Sequence, residues 1–199
     1  LLILLLALGV RAEAQIPQAT LQELQALAAR AQVIFTGQVA AIDRNDAAGF
    51  VDIRFRIDRS LRGAPARGTY VLREWAGLWI ANPGRYHVGE RRLMLLTARS
   101  PAGFSAPVGD TEGAIPILPT GDASSTLSAD LRWVGSSAQR VIAASGAASG
   151  AAGGEQDWPG PIAALAPGSQ AQPVPLTIVL ALLGGAAPAT VLKGPLDAH

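Results

Sequence analysis

The sequence predicts an all-β domain, and three observations carry that reading. Val51-Asp52-Ile53-Arg54-Phe55-Arg56-Ile57-Asp58 alternates apolar and charged residues without an error over eight positions. Side chains on a strand point to opposite faces with a period of two, so this is one strand with a buried face and a wet face. Second, short β-rich runs between residues 32 and 118 are separated by clusters of Gly, Pro, Asn and Asp. Third, Gly37 falls in the middle of one such run, where it marks the bulge or sharp bend that barrel corners need. Together these predict a five-stranded, OB-like Greek-key barrel, with a small β-sandwich as the alternative.

Each element follows in order. Residues 15–31 hold an amphipathic helix over 20–31, with Thr20 and Glu23 as a capping box and Leu21, Leu24, Leu27, Ala28 and Ala31 as its apolar stripe. The barrel spans 32–118. Its first strand covers 32–42 and puts Val33, Phe35, Gly37, Val39 and Ala41 on one face. Asn45-Asp46-Ala47-Ala48-Gly49 is turn chemistry, and the alternating strand runs from there to Arg62-Gly63-Ala64-Pro65. Thr69 to Trp75 is the third strand. A long loop with Gly77, Asn82-Pro83-Gly84 and Gly89 leads to a strand over 91–98. Its four consecutive apolar residues, Leu93 to Leu96, predict cover on both faces. Gly103-Phe104 and Ala114 to Leu118 complete the set, with Pro116 confining the last strand to an edge or bulge.

The character changes after Pro119. Residues 119–142 form an extension, and Leu131, Val134, Ala138, Val141 and Ile142 predict a helix over about 128–144. Residues 143–175 are Ala/Gly/Ser/Pro-rich with few charges, a flexible-linker composition. The remaining 176–199 open on an apolar run of twelve residues ending before Pro188, short for a membrane span and suited to a buried or surface-docked helix.

At the other end, ten apolar residues from Leu1 to Val10 precede Arg11 and Ala12-Glu13-Ala14. That is the apolar core and cleavage site of a secretory signal over 1–14, truncated at its start, and it predicts export with Gln15 as the first mature residue. The expected location is periplasmic or extracellular, with no membrane span after cleavage. The 199 residues include no cysteine, which excludes disulfides, thiolate metal sites and thiol catalysis. Sixteen basic and fifteen acidic residues leave a net charge of +1, and the basic residues are spread along the chain. A nucleic-acid footprint would be a concentrated patch, so no nucleic-acid partner is expected.

The order of helix, Ala31-Gln32-Val33-Ile34-Phe35-Thr36-Gly37-Gln38-Val39, and an alternating strand ending Leu61-Arg62-Gly63 carries a resemblance. With Gly84-x-Tyr86-x-Val88-Gly89-Glu90 before Leu93-Met94-Leu95-Leu96, and the block from Ser105 to Ile117, the chain resembles exported bacterial domains of the netrin-like, tissue-inhibitor-of-metalloproteinase-like type over about 20–118. The resemblance implies a five-stranded OB barrel. Animal inhibitors of that superfamily chelate a protease zinc through an N-terminal cysteine, and this chain has none. The predicted end, Gln15, can cyclise and lose its amine. Fold carries over on this reading, and inhibitory chemistry does not.

Catalytic constellations are missing from the sequence. The only histidines are His87 and His199, no Gly-x-Ser-x-Gly elbow exists, and no His pair stands at helical spacing. No catalytic residue, metal ligand or cofactor is therefore assigned. Trp75, Trp79, Tyr86 and Phe104 surround one long loop and would form a stacking platform if exposed together, or core if not. Arg54 and Arg56, with Asp52 and Asp58, line the wet face of the second strand and should pair across the sheet. These six aromatics and arginines are the candidate binding residues. Two functions stay open: a non-enzymatic exported module recognising a protein or peptide partner, or an envelope hydrolase using the loop acids Asp46, Asp110 or Glu112. Clustering of those acids in a concavity would favour the enzyme.

Overall fold

The computed structural model describes residues 16–82, 84–120, 126–135 and 173–184. Helix α1 (Gln18–Arg30) is followed by strands β1 (Val33–Asn45), β2 (Phe50–Arg62) and β3 (Thr69–Trp75). Then come α2 (Gly77–Ala81), β4 (Arg91–Leu96), β5 (Ala114–Pro119), β6 (Leu127–Ala129), β7 (Val174–Pro175) and α3 (Leu176–Gly184). All seven strands join one antiparallel sheet in the order β3-β2-β1-β4-β5-β6-β7. The class is all-β, with two strands more than the sequence reading supplied.

β2 keeps the alternation of its sequence. Val51, Ile53, Phe55 and Ile57 are buried while Arg54, Arg56 and Asp58 are exposed. β1 departs from strict alternation because Ala40 is extra in its pairing with β2, where Val39 faces Phe55 and Ala41 faces Arg54. One additional residue reverses the side-chain order. Ile42, rather than Ala41, therefore packs against the interior beside Val39. A second irregularity falls at Thr36 and Gly37, as the mid-strand glycine predicts. A Cβ on Gly37 would lie 2.8 Å from the Arg56 carbonyl oxygen, so the bend needs a residue without one.

Two apolar clusters sandwich the middle of the sheet. Ile34, Leu93 and Leu95 join α1 and α3 in one cluster, whereas Phe35, Met94 and Leu96 join Phe55, Tyr70, Leu72 and Trp79 in the other. Consecutive residues of β4 thus feed opposite cores, which is why Leu93 to Leu96 are all apolar. Helix α1 buries Leu24, Leu27 and Ala28 of its stripe. It begins three residues earlier than the capping box requires: Pro17 is the N-cap and makes no side-chain cap, so Thr20 sits inside the first turn. Proline supplies the starting φ without offering a side-chain acceptor.

The edge of β4 is occupied twice. β5 pairs with Arg91 to Met94, and an isolated bridge joins Leu96 to Pro107. Between these two contacts Val108 to Gly113 loops out, ending in a 3-10 turn over Asp110–Gly113. The Ser105 N–H also donates to the Arg73 carbonyl at 3.0 Å, tying the outer edge of β3 to the segment beside β4. Pro116 is not on an edge strand, contrary to the sequence expectation, because β5 lies between β4 and β6. It stands at the end of the β5–β6 ladder, where its carbonyl accepts the Asp130 N–H, so only one donor is forgone.

The expected helix over 128–144 is corrected for its described part. Leu127–Ala129 is strand β6, and Leu131–Trp133 is a 3-10 turn capped by Asp130, whose carboxylate accepts the Arg132 N–H. Pairing with β5 takes up the backbone that a helix would have used. Val174 and Pro175 are strand rather than linker, paired with Ala129 and Ser128. The docked-helix expectation holds for α3, which buries Leu176, Val179, Leu180 and Leu183. The signal-peptide reading of 1–14 and the linker reading of 143–172 lie outside the described residues, as does 185–199. No helix among the described residues is long and apolar enough to cross a membrane.

Candidate functional site

β3 alternates like its neighbour, so Tyr70, Leu72 and Glu74 all turn inward. Glu74 thereby puts a carboxylate at a core position, with its side chain fully buried. Such a charge costs several kcal/mol unless it is paired and hydrogen-bonded, typically about that much per ion after relaxation. The segment after β3 supplies every partner. Trp79 on α2 donates its indole N–H to Oε2 at 3.1 Å. Arg85 reaches Oε2 through Nε at 3.2 Å and Oε1 through Nη2 at 3.3 Å, and the Tyr86 hydroxyl donates to Oε1 at 3.3 Å. Four donor groups from three side chains thus close over one carboxylate.

The electrostatics follow from that enclosure. Burial works against the charge on Arg85, but the Glu74 carboxylate outweighs it and holds the guanidinium above its ordinary value. Burial, then the adjacent Glu74 charge, pushes the Tyr86 phenol well above the usual tyrosine range. Tyr86 also packs edge-on to Phe55 and tilted against Trp79, each with ring centroids 5.9 Å apart. Arg92 lies over its ring at 5.4 Å, bridges to Glu90, and donates to the Ala114 and Arg85 carbonyls.

Above this cluster opens a groove of about 510 Å³. One wall is the loop after α2, with Asn82, Gly84, Arg85, Tyr86 and His87. The other is Thr111 with Ala114, Pro116 and Leu118 of β5, and Asp130 and Arg132 close the end, beyond β6. Glu90 and Arg92 lie between. The guanidiniums are held in place by acids: Arg85 by Glu74, Arg92 by Glu90 at 3.0 Å, and Arg132 by a two-pronged pair with Asp130. Hydrogen bonding to Asp130 raises the Arg132 pKa. His87 is exposed, 3.8 Å from Glu90. No group of three or more His, Cys, Asp or Glu side chains among the described residues could hold a metal.

The aromatic platform does not form. Trp79 and Tyr86 are core residues, Phe104 is half-buried, and Trp75 alone is exposed, with its ring folded over Gly77. Their inward turn follows from the need to satisfy Glu74. Arg54 and Arg56 lie on the solvent face, as expected, with Arg54 2.7 Å from Asp43 and Arg56 2.6 Å from Gln38. Their neighbours pair likewise, Asp52 with Arg73 and Asp58 with Arg91. Of the loop acids, Asp46 falls in the 3-10 turn after β1, Asp110 is exposed beside Arg85, and Glu112 is buried. Neither Asp110 nor Glu112 lines the groove.

Glu74, Arg85, Arg92 and Arg132 escaped the sequence reading. A signal for the first was present: an acid on the inward register of Tyr70-x-Leu72-x-Glu74 demands a buried cation. Comparison with protein-family models, curated proteins and solved structures returns no match.

Proposed function

We propose that this chain is a binding module whose groove, over the Glu74 cluster, takes a segment of a protein or peptide partner. The carrying observation is the state of the groove's ionisable groups: its three arginines are all engaged by carboxylates. Groups so engaged give a rigid, shaped surface whose guanidiniums are already matched by carboxylates. Asp110 and Glu112 stand outside the groove's lining, which weighs against the hydrolase alternative. Pro116 and the exposed Leu118 offer an apolar floor, and Asn82, Thr111 and His87 offer polar contacts at its rim. That combination suits a short chain with one apolar side chain and polar flanks.

The order β3-β2-β1-β4-β5, with Ser105 linking back to Arg73, supports an OB-like barrel extended by β6 and β7. The apolar run before Gln15 supports export, which would bring the groove to envelope or extracellular partners. A displayed library of random peptides tests the reading. Selection against the immobilised chain should enrich a consensus that no longer binds Leu118→Arg. Peptides that bind both proteins equally would overturn it.

A further inference from the structure

A guanidinium has two edges that can take a pair of oxygens, Nε with Nη2 at its side and Nη1 with Nη2 at its end. All three groove arginines spend the side edge on a carboxylate. Arg85 takes Glu74, Arg92 takes Glu90 and Arg132 takes Asp130, each through Nε and Nη2. They differ at their ends. Arg92 donates from Nη1 to the Ala114 carbonyl at 2.9 Å and from Nη2 to the Arg85 carbonyl at 3.2 Å. Arg85 turns its Nη1 to Asp110, 3.6 Å away. The end of Arg132 meets no acceptor among the described residues, and this side chain is half exposed on the groove wall.

We infer that the end edge of Arg132 takes main-chain carbonyls of the partner segment, so that the groove's ligand is a neutral stretch of peptide and not an acidic one. The assignment rests on the proposed binding role and names the chemistry of its partner. Arg92 is the precedent, since it too is held side-on by an acid and matched at its end by two backbone carbonyls. Arg62 repeats the end-on half, donating from Nη1 to the Ala28 and Ala31 carbonyls at 2.9 Å each. Charge decides between a carbonyl and a carboxylate. His87 apart, each guanidinium on the groove already faces one acid, and exposed Asp110 adds a further negative charge beside Arg85. An incoming carboxylate would meet no surplus of positive charge, and Asp130 already lies on the side edge of the guanidinium it needs. A carbonyl takes the same N–H groups without a full charge to be repelled. The donor is also aimed in advance. Asp130 is 4% exposed and grips Arg132 at 2.8 and 2.6 Å while accepting its backbone N–H, so little side-chain freedom is left to lose on binding.

Two kinds of contact then divide the recognition. Pro116 and Leu118 stand two residues apart on β5, both on the groove side, and take one apolar side chain. Arg132, at the end closed by Asp130, holds the main chain that carries it. Carbonyls are common to every sequence, so the choice of partner falls to the apolar anchor and to the rejection of acidic flanks.

The full-length chain serves for the test, with the consensus peptide of the library selection as the probe, synthesised with acetylated and amidated ends. Its main-chain oxygens are replaced by sulfur one at a time, because a thioamide keeps its N–H but accepts a hydrogen bond poorly. One or two neighbouring replacements should weaken binding to the parent about tenfold, the weight of a lost hydrogen bond to a charged donor. The same replacements should leave binding to Arg132→Lys unchanged within about twofold, because lysine still pairs with Asp130 but has no second edge. An aspartate placed beside the apolar anchor should weaken binding to the parent. Tolerance of sulfur at every position, equal sensitivity in Arg132→Lys, or a consensus rich in Asp and Glu would each overturn the inference. The sulfur scan on the parent decides the matter even where Arg132→Lys fails to fold. A consensus that needs Leu118 yet survives every replacement defeats the carbonyl contact alone. Absence of any groove-dependent consensus defeats the binding role, and the carbonyl contact with it.

Discussion

Glu74 Oε2 and Arg85 Nε lie 3.2 Å apart with side-chain exposures of 0% and 6%, on opposite sides of a turn that includes a helix. The pair fastens the loop after α2 onto the open end of the apolar interior. It lies beneath the groove and is the reason that the wall carrying Arg85 and Tyr86 keeps one shape. Breaking one half of a buried pair strands the other half, which typically costs about 3–5 kcal/mol. Glu74→Gln should therefore lower the urea midpoint steeply, as read by tryptophan fluorescence. Glu74→Gln with Arg85→Met should lose much less than the two single losses added, since neither charge is then left alone.

Phe55→Ala should cost about 3–5 kcal/mol, because its ring is fully buried and packs edge-on against Phe35 and Tyr86. Arg54→Ala, on the solvent face next to it, should stay within about 0.5 kcal/mol, although it loses an exposed pair with Asp43. Thermal melts of the two variants measure the contrast. Equal losses would mean that the charged face is also covered.

Acid should weaken the molecule partly through Asp52. Its hydrogen bonds to Arg73 hold the carboxyl below the usual carboxylate range, against the opposing effect of burial. A depressed folded pKa means that the contribution is present above the unfolded value of about 3.9 and is lost as pH falls through the folded one. The pair is partly solvated, so its worth is about 0.2–1 kcal/mol. The stability difference between parent and Asp52→Asn, measured by urea unfolding from pH 7 to pH 2, should begin to shrink near the unfolded value of about 3.9 and go on shrinking as pH falls through the lower folded one. A difference that persists in acid would assign the effect to packing.

Alkali acts through Tyr86. Its folded pKa lies well above the unfolded value of about 10, so the phenol stays protonated in the fold when the unfolded chain has released its proton. Stability from this source is complete below pH 10 and declines as pH rises beyond it. Tyr86→Phe should be less stable at pH 8 by about 0.5–1.5 kcal/mol, through the lost hydrogen bond to Glu74. Between pH 9.5 and 11 its urea midpoint should fall less steeply than that of the parent. Parallel slopes would remove Tyr86 from the alkaline transition.

The fold was legible wherever pattern and geometry coincide. Val51 to Asp58 announces its own two faces, and Leu93 to Leu96 announces cover on both. Gly37 marks its bend because nothing larger clears the Arg56 carbonyl. What stayed hidden depends on partners distant in sequence. Residue spacing alone cannot show that Ala40 is bulged, because the bulge exists only relative to β2. Leu131 and Val134 sit at helical spacing and are buried, yet pairing of Ser128 and Ala129 with their neighbours leaves the following residues a 3-10 turn. The groove was illegible for a similar reason. Spacing leaves Trp79 and Tyr86 as platform or core, and what decides for core is the buried Glu74 carboxylate that both donate to.

Strands β1 and β4 contribute alternate side chains to both apolar clusters, with Ile34 and Leu95 facing one and Phe35 and Leu96 the other. Neither half of the molecule can therefore come apart while leaving the other intact. Amide protons of these two strands should exchange with solvent only through global opening, at one common free energy. Those of β7 and α3, held from one side, can exchange through smaller openings. Heat or denaturant should dissolve both clusters in a single step, and a ligand gripping the groove on one face would raise the melting of helices packed on the other.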